Sequence, residues 1–400
     1  MASSRYVYRL PFTLQVLSLS LHHQFTITNT KSQELYEPLW EDLIHLLGQK
    51  GLKVRGIWIA DVAWQGHSAV LNEANLGNDP SWFDHARDLL HMINHFRREM
   101  PRPLVGVGHS FGGNIMVNLA LLHPRLLSTL VLLDPTLSRF KQKGPKYGFM
   151  PMVSTSRRRD LWPSRAEAAA SFNRNPFYKT WDPRVLELWN KYGLRDAPTS
   201  LYPDAKNGEV TLTTTKHQEC FTYYRPQAQA YDPKTGKPVL DRSILRDLPD
   251  DFARFPDFLF YRAEGTVTTE KLPELRPGVL WLFGETSAVN PPEAADEKLE
   301  LTGVGWGGSG GVKAGRVAAV TIPKFGHLVP MEATTRCAQE AADWIAKDLT
   351  HWREEEAEFQ NRWLKKTDAE KQVMDEDFKR WIVESGGVPP EKKKKPASKI

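Results

Sequence analysis

The stretch Leu104-Val105-Gly106-Val107-Gly108-His109-Ser110-Phe111-Gly112-Gly113 limits what this chain can fold into more than any other. Leu104 to Val107 reads as a buried strand, and Asn114 to Leu122 carries apolar residues on a helical period until Pro124 ends it. Between them, Gly108-His109-Ser110-Phe111-Gly112 fits the Gly-x-Ser-x-Gly turn that lifts a serine hydroxyl clear of a sheet. Such a turn needs glycine for close backbone packing around a residue held in a strained conformation. The helix behind it points backbone N–H groups at negative charge developing nearby. The five-residue pattern alone arises by chance in long chains; the strand before and the helix after give it meaning. The bland reading is a glycine-rich structural turn, or a scaffold of this kind that has lost activity.

The flanking chain repeats strand and helix. Glu37 to Leu47 has Leu39, Leu43, Leu46 and Leu47 at helical spacing, Val54 to Ala60 reads as a strand, and Trp82 to Arg97 as a second helix. Leu126 to Leu133 is almost wholly apolar, as a strand buried on both faces requires, and it ends in Asp134-Pro135. Upstream, residues 5–21 hold two apolar stretches read as edge strands, with His22-His23-Gln24 in the loop that follows. From 137 to 275 the alternation lapses, which predicts an inserted lid over the carboxyl edge of the sheet. It resumes with strands Val279 to Gly284 and Val317 to Ile322, the loop Phe325-Gly326-His327 and a closing helix. The expected fold class is α/β, with a mostly parallel central sheet, helices on both faces and a lid. The expected division gives residues 1–136 to a first core segment, 137–275 to the lid and 276–350 to a second core segment. A helical extension over 351–388 and a basic tail over 389–400 complete the chain.

Composition narrows the function classes. The formal charge is +5, and much of the excess sits in Lys392-Lys393-Lys394-Lys395 and Lys399, so the bulk is close to balanced and gives no support to nucleic-acid binding. Cys220 and Cys337 lie far apart in no metal-ligand spacing, as in a reducing compartment, and no metal or organic cofactor is implied. Leu14 to Leu21 is too short to cross a bilayer and lacks the flanks of a secretory signal. Gly303 to Gly315 has no phosphate-loop pattern and reads as a connector. The final Ser398-Lys399-Ile400 differs by one conservative change from a Ser-Lys-Leu peroxisomal address, which predicts an import receptor as partner and the peroxisomal matrix as location. If the tripeptide is no signal, the chain is cytoplasmic.

The chemistry rests on Ser110 as nucleophile and His327, just past the last strand, as general base and then acid. Two positions compete for the triad acid. The loop after the 279–283 strand is the usual place, but it reads Gly284-Glu285-Thr286-Ser287, so only Glu285 offers a carboxylate there, two residues early. Asp134, directly after Leu133, is the other and the favoured one, because the two strand ends are neighbours; an Asp-Pro turn cap is its bland reading. The oxyanion hole needs two backbone donors. Phe111 is one, and the second is expected in the loop after the 14–21 strand, at His23 or Gln24, although no glycine follows the histidines.

Glu37-Pro38-Leu39-Trp40, Trp82-Phe83-Asp84-His85-Ala86-Arg87-Asp88 and Gly108-His109-Ser110-Phe111-Gly112-Gly113 carry a resemblance. The chain resembles the α/β-hydrolase superfamily over 5–350 apart from the lid. More narrowly it is similar to fungal peroxisomal hydrolases of toxin and secondary-metabolite pathways, a group that includes the mycophenolyl-CoA hydrolase. That resemblance implies Ser110, Asp134 and His327 as the triad. It also implies a peroxisomal type I acyl-CoA thioesterase with a capped hydrophobic acyl pocket, with a homodimer left open. A CoA substrate calls for cations on its phosphates, and Arg157, Arg158 and Arg159 are the candidates beside the bland reading of a solvated basic loop. Lid aromatics, with Tyr223 and Tyr224 among them, are the candidates for an acyl cavity. Two other functions fit the same residues: a carboxylester hydrolase or lipase, and a nonenzymatic peroxisomal interaction protein on a hydrolase scaffold.

Overall fold

Alternating apolar strands and amphipathic helices oblige a parallel sheet, because successive parallel strands need a crossover. A computed structural model describes residues 14–18, 23–28, 33–139, 149–226, 232, 234–237, 239 and 260–386. The first half of the core runs through β1 (Leu14–Ser18), β2 (His23–Thr28), α1 (Glu37–Gln49), β3 (Val54–Ala60), α2 (Gly66–Leu71), α3 (Trp82–His95), β4 (Leu104–His109), α4 (Phe111–Leu122) and β5 (Thr129–Leu133). The insertion holds α5 (Phe149–Arg157), β6 (Leu161–Trp162), α6 (Arg165–Arg174), α7 (Pro176–Lys179), α8 (Pro183–Tyr192), β7 (Leu194–Asp196), β8 (Val210–Leu212), α9 (Lys216–Tyr223), β9 (Arg225–Pro226) and β10 (Phe260–Tyr261). The core then resumes with α10 (Ala263–Glu270), β11 (Gly278–Gly284), α11 (Pro292–Leu301), β12 (Val317–Ile322), α12 (Val329–Glu332) and α13 (Thr334–Leu364). The chain forms two compact units, Met1–Leu349 and Thr350–Ile400; the second contains α14 (Glu376–Glu384), whose first turn is capped by Asp375.

The seven strands of the central sheet lie in the order β1-β3-β2-β4-β5-β11-β12, all parallel except the edge strand β1. Helices cover both faces. Leu39, Leu43 and Leu47 of α1 join Ile345 and Leu349 of α13 in one core, and Leu89 and Ile93 of α3 join Ile115 and Leu119 of α4 in the other. The loop expected at His22 to Gln24 is a strand instead from His23 onward, paired on both sides. Phe25-Thr26-Ile27-Thr28 is rich in β-branched residues, and that propensity outweighs the polarity that suggested a loop.

The aromatic residues of the insertion belong to the core that α1 and α13 line. Trp162, Phe172, Tyr178, Trp181 and Trp189 are buried against one another, with ring centroids 5.0–6.1 Å apart. Pro176 and Pro183 open α7 and α8 rather than breaking a helix, each behind an Asn or Asp cap. The insertion then docks on the loops at the carboxyl edge. The Asp182 amide donates to Met331 O at 2.8 Å, Trp64 Nε1 to Thr222 Oγ1 at 2.9 Å, and the Gly66 amide to Thr214 Oγ1 at 2.8 Å. Its end comes earlier than the expected residue 275, since α10 already lies on α4: Asn118 Nδ2 donates to Thr268 Oγ1 at 2.8 Å and Asn114 Nδ2 to Glu264 O at 3.1 Å.

His85 of α3 is buried, 3 % exposed. Burial pulls its imidazole pKa down to about 4, against a hydrogen bond to the Ala60 backbone that acts the other way. Between that value and the ordinary one of about 6.5 the unfolded chain binds the proton and the folded chain does not, so stability falls as the pH drops through this window. We expect acidification from pH 7 to pH 4 to cost His85→Gln about 3 kcal/mol less than the wild type. Urea denaturation at both pH values measures the difference; parallel losses would refute the assignment.

Candidate functional site

A parallel sheet delivers the ends of its strands to one edge. His109 of β4 pairs with Leu133 of β5, Leu133 with Leu282 of β11, and Gly284 with Ile322 of β12. Ser110, Asp134 and the loop to His327 therefore leave the sheet side by side. Three non-glycine residues among those described have positive φ: Ser110 (φ 56°), Asp134 (φ 41°) and Lys324 (φ 72°). One follows each of β4 and β5, and one lies in the loop to His327. Strained backbone of this kind persists only where its surroundings hold it. The Ser110 amide donates to Leu133 O at 3.1 Å and the Asp134 amide to Leu282 O at 2.6 Å, which carries the sheet ladder through the strained residues. Two glycines make room. A Cβ on Gly108 would stand 2.5 Å from Gly112 O, and one on Gly284 only 2.2 Å from Gly326 O, next to His327.

The three side chains join in one hydrogen-bonded line. His327 Nε2 lies 2.8 Å from Ser110 Oγ and His327 Nδ1 2.6 Å from Asp134 Oδ2. Asp134 has no exposed surface, and a carboxylate so placed is held by donors. Its Oδ1 accepts from the Gly284 amide at 3.2 Å and its Oδ2 from Ser287 Oγ at 2.6 Å. Since an ionised carboxylate only accepts, the proton sits on Nδ1, and Nε2 is left to accept from the serine hydroxyl. Burial also pulls the Lys298 ammonium down to about 8; the negative charge of Asp134 resists that shift.

Glu285, the alternative acid, points elsewhere: its Oε2 accepts from the Lys324 amide at 2.7 Å. Ser287, which stands where an acid is usual, instead donates to Asp134. Phe111 opens α4 directly after Ser110, so its amide belongs to the first turn, where intrahelical bonding leaves N–H groups unused. The second donor is a correction. His23 starts β2 opposite Val54, and Gln24 pairs with Leu104, both at the amino ends of their partner strands, whereas Thr28 pairs with Gly108. At about 3.3 Å per residue, His23 is some 17 Å short of the edge that carries Ser110. Residues 29–32, next in the chain after β2, lie outside the described residues.

Two neighbours of the serine escaped sequence reasoning. His109, 1 % exposed, lies between Tyr36 and the loop of His327: its Nε2 is 2.8 Å from His327 O and its Nδ1 2.7 Å from Tyr36 Oη. A carbonyl only accepts, so Nε2 carries the proton and the neutral ring accepts from the tyrosine. Thr136 Oγ1 lies 3.2 Å from Ser110 Oγ, and its amide donates to Ser110 O at 2.9 Å. The histidine was visible as the variable residue of the turn; nothing local distinguished Tyr36 or Thr136.

The expected substrate contacts fare unevenly. Arg158 is spent inside the lid on Glu219, 2.5 Å away, because a partly buried guanidinium needs a counter-ion, so it is not a free phosphate ligand. Tyr223 Oη donates to the same Glu219 at 2.8 Å, and burial pushes its pKa up, as it does for the buried Tyr224. Arg159 Nε donates to Leu161 O at 2.8 Å with its guanidinium over Trp162, yet Arg157 and Arg159 both remain exposed. Among the described residues no group of three or more His, Cys, Asp or Glu side chains is placed to hold a metal ion, and no helix is long and apolar enough to cross a membrane. Ser398-Lys399-Ile400 lies outside the described residues.

Known proteins share both the sequence and the fold. The chain is 42 % identical over 345 residues to the type I acyl-CoA thioesterase mpaH of Penicillium roqueforti, across 82 % of this chain and 77 % of that one. The type I acyl-CoA thioesterase mpaH' of Penicillium brevicompactum is 42 % identical over the same shares. Among solved structures, the peroxisomal alpha-beta-hydrolase Lpx1 of Saccharomyces cerevisiae superposes with a TM-score of 0.62 at 15 % identity, covering 94 % of this chain and 89 % of its own. At that identity the likeness speaks for the fold. The model of the alpha/beta hydrolase family matches residues 37–341, and together with the fungal relatives this match makes the chain a member of that family.

Proposed function

We propose that this protein hydrolyses a hydrophobic acyl-CoA thioester by two-step acyl transfer through Ser110, in the peroxisome and in the service of fungal secondary metabolism. The observation that carries the chemistry is the unbroken line Ser110–His327–Asp134, at 2.8 and 2.6 Å. Relatives named as acyl-CoA thioesterases support the substrate class.

In this reading Ser110 Oγ attacks the thioester carbonyl while His327 Nε2 takes its proton. The carbonyl oxygen gains charge opposite the first turn of α4, where the Phe111 amide is one donor. His327 then returns the proton to the departing thiolate, and water repeats the sequence on the acyl-serine. Asp134 keeps the imidazole in the accepting tautomer and offsets its positive charge, while the bond from His109 holds the His327 backbone over the serine. The lid, packed on the segments that follow β2, β3 and β12, shields the thioester from bulk water.

A fluorophosphonate probe should label the wild type and leave Ser110→Ala unlabelled. Asp134→Asn should lower kcat on an acyl-CoA by about 10³–10⁴ and Glu285→Gln by less than about threefold. Equal losses from the two carboxylates would refute the assignment of the acid. His109→Ala should reduce kcat by roughly 10- to 100-fold with little change in KM, and His109→Gln, which retains a donor toward His327 O, should recover part of it.

For the substrate, activity on an acyl-CoA and on the methyl ester of the same acid separates thioesterase from carboxylesterase. Substitution of Arg157 and Arg159 by Ala should raise KM for the CoA thioester several-fold and leave the ester untouched; equal effects on both would exclude phosphate contact. A fluorescent fusion should collect in peroxisomes and become diffuse when the last three residues are removed.

A further inference from the structure

Thr136 places its hydroxyl 3.2 Å from the Ser110 oxygen, on a backbone tied to the same turn. The tie is double: the Thr136 amide donates to Ser110 O at 2.9 Å, and Thr136 O accepts from Asn114 Nδ2 of α4 at 3.5 Å. These two bonds fix the spacing of the two backbones from which the hydroxyls project.

Counting protons fixes the direction of this contact. Nδ1 of His327 keeps its proton and donates a hydrogen bond to Asp134, so Nε2 accepts, and the hydroxyl hydrogen of Ser110 is spent on it. Only the hydroxyl hydrogen of Thr136 is left for the bond between Thr136 Oγ1 and Ser110 Oγ. We propose that Thr136 is a further catalytic residue, a donor to the serine oxygen that speeds breakdown of the acyl-enzyme. The inference rests on the serine mechanism proposed above and deepens it.

The bond changes strength around the cycle. In the free enzyme Oγ is a hydroxyl oxygen and a good acceptor. In the acyl-enzyme it is the alkyl oxygen of an ester, whose lone pair is drawn toward the carbonyl, and the bond is weak. In deacylation His327 Nε2 takes a proton from water as the water oxygen bonds to the acyl carbon, and the carbonyl π pair moves onto oxygen. That pair then re-forms the carbonyl, the C–Oγ bond breaks with its electrons going to Oγ, and Nε2 returns the proton to Oγ. Thr136 keeps its own proton throughout. Its hydrogen bond strengthens as charge collects on the departing Oγ, an interaction stronger in the transition state than in the acyl-enzyme before it. In acylation Oγ starts as a hydroxyl that already accepts from Thr136, so the bond gains less on the way to the transition state than it does in deacylation.

The unequal effect on the two steps separates this role from a structural one. The test uses p-nitrophenyl acetate, with rapid acid quench and intact-mass measurement of the acetyl group on Ser110. Thr136→Val retains the shape and lacks the hydroxyl; it should release the first nitrophenolate within about threefold of the wild-type rate, deacetylate about tenfold more slowly, and carry more acetyl in the steady state. Thr136→Ser should stay within about threefold of the wild type in both steps. Thermal denaturation verifies that both variants are folded. Wild-type deacetylation in Thr136→Val, or an equal slowing of both steps, overturns the proposal while leaving acetyl-Ser110 in place. Hydrolysis by the wild type through a route that never acetylates Ser110 would instead overturn the serine mechanism and this inference with it.

Discussion

The carboxylate of Asp134 is the constraint on which the rest of the site depends. It is fully buried, and an unpaired charge there would cost several kcal/mol. Three donors from different stretches of the chain hold it: the Gly284 amide at the end of β11, Ser287 in the following loop and His327 beyond β12. A group that demands three partners fixes the relative positions of all three. Alignment of the strand ends and orientation of the imidazole are thus two consequences of one desolvated charge.

Strain marks the same residues. Ser110 and Asp134 both take backbone conformations that side chains with a Cβ avoid, and the ladder of backbone hydrogen bonds continues through each of them. A positive-φ turn at a strand end throws the next segment sharply to one side, which brings the serine hydroxyl to the imidazole and turns the aspartate under it. Close backbone approach at Gly108 and Gly284 lets the histidine loop settle directly on the strand. The lid then uses the same edge from outside. Its aromatic residues pack on one another within the core that α1 and α13 line, so the insertion is anchored to the core rather than a loose flap.

The strands β3, β4, β5 and β11 were legible because each is an apolar run between turn signals, the pattern that burial on two faces imposes; β12, a partly exposed edge strand, was legible as an apolar run alone. The serine and histidine were legible because their positions follow from strand order. β2 was not, since Thr and Gln in a central strand mimic a loop, and that single miss moved the expected oxyanion donor to His23 at the wrong edge. Asp134 against Glu285 could not be settled locally: both follow apolar strands, and only their backbone conformations aim one toward His327. Arg158 looked available for the same reason, because a charge run shows no trace of its counter-ion 61 residues later.

What the sequence determined by itself was the class of fold and the positions of the candidate nucleophile and base, because hydrophobic period and the strand–turn–helix motif are local properties. What only the tertiary structure decided were which carboxylate meets His327, the tautomers of His109 and His327, and the second hydroxyl beside Ser110. Each of these depends on distances between residues 26 to 218 positions apart in the chain, from Ser110–Thr136 to His109–His327. Hydrogen bonds act over about 3 Å, a length on which sequence separation carries no information until the sheet has brought the strand ends together.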